Sequence, residues 1–189
     1  MPLRANAVQL PDGRLLLVAS DRDDLHEAMA LALADAGGLA VSQFPVVIDP
    51  EDPSRLCTNG QKITMRRTSR DAPEPEVRKG ARRLQLDRPA IDGSRVHACA
   101  GMVCLSDGTI DQPKLVPLAM MRCIAEIKKH VFMPLVGTAI WGEDTINAAY
   151  VVLGGHLPMF GYALPPGMDA SVDLARDLLA QFAAVGETA

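Results

Sequence analysis

Residues 95–142 read RVHACAGMVCL, SDGTIDQP, KLVPLAMMRCIAEIKKHV and FMPLVGTAIWG, and the fold turns on this stretch. Between Arg95 and Leu105 only His97 interrupts a run of apolar and small residues, and Asp107-Gly108 supplies a turn signal. Beyond the turn, Met120, Ile124, Ile127 and Val131 recur at helical spacing, with Lys128, Lys129 and His130 placed where a helix C-terminus favours cations. The spacing predicts a strand, an Asp-Gly turn, a helix beginning near Leu115 with Pro117 in its first turn, and a second strand over 132–142. The stretch also carries three of the four cysteines, two of the four histidines and the single tryptophan, which makes it the first place to look for chemistry.

Working outward, Ala5–Leu10 and Arg14–Ala19 flank Pro11-Asp12-Gly13 and read as a β-hairpin. Ser20 with Asp23 has the form of a capping box, and Leu25, Met29, Ala32, Leu33 and Ala36 continue as a helix that Gly37-Gly38 closes. Leu39–Ile48 reads as a buried strand in which Pro45 marks an edge or a bulge. Turn-rich residues 49–53 and Asn59-Gly60 lead to a short strand over 62–67, then to a basic, proline-containing arm over about 68–94. After the central stretch, 143–153 reads as a short helix stopped by Gly154-Gly155 and 156–164 as a short strand. An amphipathic helix over 169–185 would bury Val172, Ala175, Leu178, Leu179, Phe182 and Val185. The hairpin makes at least part of the sheet antiparallel. The expected fold is therefore a single α+β domain, 1–189, with a mixed, partly antiparallel sheet on about three main helices and a long charged loop insertion.

With 189 residues the chain can bury one sizeable core, and with aromatics at only 4% that core must be aliphatic. A net charge of −4 argues against a polyanion binder, and no apolar run approaches the roughly 18–20 residues a bilayer crossing needs. The first residues lack a signal-peptide layout, so the four cysteines (57, 99, 104, 123) are expected as thiols in a cytoplasmic, soluble protein. Walker, Rossmann, nucleophile-elbow and HExxH signatures are absent from the sequence.

Three sets of residues could carry function. His97 and Cys99 share a face on a strand and could form an enzyme pocket with Trp141 and His156. Cys104, five positions on, points to the opposite face unless a bulge near Gly101 brings it round. Cys123 and His130 align on a helix but stand about 10.5 Å apart along its axis, too far for one ion. The acids Asp21, Asp23 and Asp24 follow an apolar strand and could hold a divalent ion; helix capping and dipole compensation are the favoured account of them. Finally, 62–95 holds ten Lys or Arg against five acids, and Arg66, Arg67, Arg82 and Arg83 are the candidate partner contacts. That segment contains no aromatic residue, so base stacking has no support and nucleic acid is not the expected partner.

Two resemblances add to this. Residues 14–44, an apolar strand, acids and a helix ending in Ala-Gly, resemble the opening of a response-regulator receiver domain, although no Thr or Ser and Lys follow at that family's later strand ends. HACAGMVCLSDGTIDQPKLVPLAMMRCIAEIKK followed by GTAIWG resembles an uncharacterised bacterial α+β domain family, with Ile140 standing where an aromatic is usual. The second resemblance implies a fold and a bacterial source, and no catalytic residues. The expected function is a non-catalytic interaction or assembly protein, bacterial or phage-related, without a cofactor and without membrane insertion. It would contact a protein partner or a second copy through the charged loop or a sheet edge. An enzyme using Cys99 and His97, and an ion-dependent receiver-like regulator, are the alternatives.

Overall fold

Strand Leu15–Ser20 is buried along its whole length, which requires covering layers on both faces. In the computed structural model, which describes residues 1–22, 25–37, 40–61, 64–66, 83–85 and 89–186, helices supply both layers. The elements are β1 (Pro2–Leu3), β2 (Asn6–Gln9), β3 (Leu15–Ser20), α1 (Leu25–Gly37), β4 (Val41–Ser42), β5 (Val46–Ile48), β6 (Arg55–Thr58), β7 (Thr64–Arg66) and β8 (Arg83–Gln85). They continue as β9 (Val96–Asp107), β10 (Lys114–Pro117), α2 (Met120–His130), α3 (Pro134–Trp141), α4 (Glu143–His156), β11 (Met159–Leu164) and α5 (Val172–Gly186).

The fold is α+β: a nine-stranded mixed sheet with five helices among the described residues, and a separate β7–β8 ribbon. β9 is its axis. It runs antiparallel to β6 near its start and parallel to both β3 and β11 further along, while the β2–β3 hairpin is antiparallel as its turn residues require. Alternation along β3 divides the core: Leu16 and Val18 face α1 and α5, and Leu15, Leu17 and Ala19 face the side of α2 and α4. On α5, Leu174, Ala175 and Leu178 are buried, with Leu179, Phe182 and Val185 packed beside them.

The central stretch departs from its expected order. Lys114–Pro117 is a strand paired with β11, so the helix begins only at Met120, beyond Pro117. Residues 134–141 form α3 and not a strand; Met133 turns the chain at φ 54° and Pro134 opens the helix, where its missing N–H costs nothing. A short apolar run fits either structure, and pairing decides between them: β11 already occupies the edge of β9 that a second strand would have used. With α3 added to the three main helices and the short helix expected after the central stretch, the described residues hold five helices.

α4 runs through Gly154-Gly155. A Cβ at Gly154 would lie 2.5 Å from Ile124 Cγ1, so this glycine lets α4 approach α2 closely and does not stop the helix. The strand expected over 39–48 is interrupted and becomes β4 and β5, with Phe44-Pro45 between them. Ser20 Oγ accepts the Arg22 N–H at 3.1 Å and closes a turn before α1, while Asp23 lies outside the described residues. The arm is tied back to the body by Val41 N–H to Pro89 O and Ile91 N–H to Val41 O, and Ile91 is buried.

Candidate functional site

On β9 the ladder skips a residue. Leu15 pairs with Cys99 and Leu16 with Gly101, so Ala100 is the extra residue of a bulge. The bulge turns Ala100 to the α1–α5 side and leaves Cys99, Met102 and Cys104 on the α2–α4 side. Cys99 and Cys104 thus share a face, against strand parity, through the one device that could bring Cys104 round. Gly101 permits it, because a Cβ there would meet Pro158 O at 2.8 Å.

The His97–Cys99 pair is poorly placed for nucleophilic work. His97 Nε2 lies 2.8 Å from the Asp92 carbonyl, so its N–H is committed to a loop. Cys99 makes its one thiol contact with Gly101 O at 3.9 Å, and burial pushes the thiol up to about 11. A thiol so raised offers almost no thiolate near neutrality. Trp141 lines a groove beside α4 and His156 a separate recess with Asp52 and Ser54; His97 and Cys99 line neither.

Asp21, at the end of β3, meets α2. Its Oδ2 accepts a 2.7 Å hydrogen bond from Lys129 Nζ, and its Oδ1 stands 3.9 Å from His130 Nε2. The Lys129 bond holds the Asp21 carboxyl below its ordinary range and raises the lysine. Asp23 and Asp24 lie outside the described residues.

Glu126 and His130, one helical turn apart, project from the same face of α2 and both are buried, whereas Met120, expected in the buried stripe, is 47% exposed. Lys129 Nζ reaches Glu126 Oε2 at 3.2 Å and Arg122 Nε reaches Oε1 at 3.1 Å. Beneath them lies Cys104. One ligand atom each from Cys104, Glu126 and His130 falls within 4.8 Å of the others. Burial lowers the His130 pKa against the pull of Asp21 and Glu126, and burial with the Glu126 charge raises the Cys104 thiol. The sequence weighs His130 only against Cys123, a pair that helix rise excludes, and so misses this cluster; the Glu126-x3-His130 spacing is its signal. The Cys104 contribution was hidden by the bulge.

The basic candidates fall partly outside the described residues, Arg67 and Arg82 entirely so. Arg66 and Arg83 stand at directly opposed register positions of the β7–β8 ribbon, which lies beside α1.

A second surface was not anticipated. None of the eight residues of α3 is buried, although the helix reads PLVGTAIW. Leu135 is 83% exposed, and Met133, Val136, Ile140 and Trp141 are each at least half exposed; Val152 of α4, partly exposed, lines the same groove as Trp141. Beside this ridge runs a groove of about 640 Å³, lined by Trp141, Ile146, Ala149 and Val152 on one side and Asp49 to Glu51 on the other. The ridge was missed because an apolar run was assigned to the core by composition alone.

Compared with known proteins, the chain matches no family model, no curated protein and no solved structure. The resemblances drawn from residues 14–44 and 97–142 therefore carry no residue roles forward. Among the described residues, no helix is long and apolar enough to cross a membrane.

Proposed function

We propose that this is a non-catalytic assembly protein that binds a second copy of itself through the α3–α4 face. The observation that carries the reading is α3, an eight-residue apolar helix with no buried side chain. Exposed apolar surface of this kind, contiguous over two helices, marks an interaction site far more often than a free surface. A second copy is favoured over other occupants because ridge and groove lie side by side on one face. A two-fold axis through that face would seat each Leu135–Ile140 ridge in the other copy's groove, as an isologous interface requires.

Charge argues against a lipid surface as the occupant. Asp49 and Glu51 line the groove, and Glu143 and Asp144 open α4 beside it, where an anionic bilayer would call for Lys and Arg. The raised Cys99 thiol and the committed His97 weigh against the enzyme reading. The basic arm, with Arg66, Arg67, Arg82 and Arg83, is proposed as a second contact for an acidic protein surface. A reducing, cytoplasmic setting suits the four cysteines, which are all free thiols.

The single tryptophan sits on the proposed face and reports on it directly. On raising the protein concentration, Trp141 emission should shift to the blue as the ring leaves water. Emission independent of concentration would count against self-association, and a shift that needs anionic vesicles would assign the face to lipid.

A further inference from the structure

We propose that Cys104, Glu126 and His130, joined by Asp21 at the mouth, form a zinc site that fastens α2 onto the sheet. The argument begins with convergence from different parts of the chain. Cys104 comes from β9, Glu126 and His130 from one face of α2, and Asp21 from the end of β3. Three of these residues are buried, Cys104, Glu126 and His130, at 5%, 6% and 3% exposure. Their ligand atoms already lie within 4.8 Å of one another, and Asp21 Oδ1 is 3.9 Å from His130 Nε2. Tetrahedral zinc, with bonds of about 2.0–2.3 Å, needs ligand atoms roughly 3.3–3.8 Å apart, so rotamer adjustments of about an ångström complete the shell.

The charge pattern is that of a cation site. Lys129 Nζ bridges Asp21 Oδ2 and Glu126 Oε2 at 2.7 and 3.2 Å, supplying the positive charge that two carboxylates beside a buried imidazole require. Its side chain is 45% exposed, so it can swing into solvent and yield the two carboxylates to an ion. Arg122 on Glu126 Oε1 then remains as an outer partner that orients the ligating carboxylate.

The donor set selects the metal. Thiolate with imidazole and carboxylate suits Zn²⁺, whereas Mg²⁺ and Ca²⁺ take oxygen ligands throughout. On binding, the Cys104 S–H bond breaks, a Zn–S bond forms, and the proton passes to solvent. An entry path exists: a cavity of about 170 Å³ is lined by Asp21, Cys104, Glu126 and Lys129 and lies at the carboxyl ends of the parallel strands β3 and β9. The other Cys and His residues do not converge in this way. Cys123 donates to Leu118 O, and His97 is held by Asp92 O.

The test uses the full chain freed of metal with a chelator, then titrated with Zn²⁺ by calorimetry and with Co²⁺ by absorption. Expected are one ion per chain, a rise in the thermal midpoint and a thiolate-to-cobalt charge-transfer band. Cys104→Ser should abolish the band, and Glu126→Gln should weaken binding at least roughly tenfold, since even outer-partner losses reach that size. Cys99→Ser and His156→Ala should leave both unchanged. Because a buried variant can fail to fold, X-ray absorption on the zinc-loaded wild type gives an independent reading: one sulfur at about 2.3 Å. No binding, binding without a sulfur ligand, or a band that survives Cys104→Ser would overturn the site.

Discussion

Gly154→Ala and Gly155→Ala, adjacent in α4, should move stability in opposite directions. In a helix interior, alanine is favoured over glycine by about 0.5–1 kcal/mol because it restricts the unfolded chain. At Gly155 nothing opposes that gain, since the nearest atom to an added Cβ is Met120 Cε at 3.8 Å, an ordinary contact. At Gly154 the added carbon meets Ile124 Cγ1 at 2.5 Å and Ile124 N at 3.3 Å. Ile124 sits on α2, so relief requires either an off-rotamer side chain or a shift of the whole helix, at about 1–3 kcal/mol. The net expectation is about +0.5 to +1 kcal/mol for Gly155→Ala and about 0 to −2.5 kcal/mol for Gly154→Ala. Urea unfolding followed by circular dichroism measures both, with unchanged slopes checking that the unfolded states match. If Gly154→Ala proved as stabilising as Gly155→Ala, the close α2–α4 contact would be wrong. If both destabilised alike, α4 would end at the glycines after all.

Other perturbations probe the two core faces. Tyr162 is buried and its hydroxyl donates to Asp177 Oδ2 at 2.8 Å, so Tyr162→Phe should cost about 1.5–3 kcal/mol, read from urea midpoints. Burial, with the Asp177 bond and charge, also raises the Tyr162 pKa, and burial pushes Cys99 up to about 11. Both groups keep their protons longer when folded than when unfolded, so stability should hold at neutral pH and fall as pH rises above about 9. Thermal midpoints across pH 7 to 11 check that sign; a midpoint rising with alkalinity would contradict it. For the same reason Cys99 should resist alkylation by iodoacetamide in the native protein and react once urea is added, which peptide mass mapping would show.

The hairpin, α1, β9 and α5 were legible because each carries a local signal that tertiary packing does not override. Pro11-Asp12-Gly13 fixes a turn between apolar runs, and Leu174, Ala175 and Leu178 keep a helical period. What was not legible depends on partners distant in sequence. Lys114–Pro117 became a strand because β11, about 45 residues later, pairs with it. Gly154-Gly155 carries the usual stop signal, and only the neighbouring Ile124 makes one of those glycines a packing device. The Cys104–Glu126–His130 cluster was hidden by a single extra residue at Ala100, which inverted the facing of everything after it. α3 was misread for a different reason: its apolar residues match a core strand, and their exposure is a property of the surface, not of the local sequence.

Self-association through α3 is the central claim, and sedimentation velocity over a range of concentrations tests it most directly. Leu135 is 83% exposed, so burying it in an interface would gain about 1–2.5 kcal/mol per copy. A two-fold axis counts that contribution twice, so Leu135→Ser should weaken dimerisation roughly thirty-fold or more. The account predicts a monomer–dimer equilibrium for the wild type and a monomer for the Leu135→Ser, Ile140→Ser double variant, with unfolding free energy changed by no more than about 0.5 kcal/mol because both side chains are largely exposed within one chain. A wild-type monomer at every concentration, or a dimer that survives the double substitution, would contradict it.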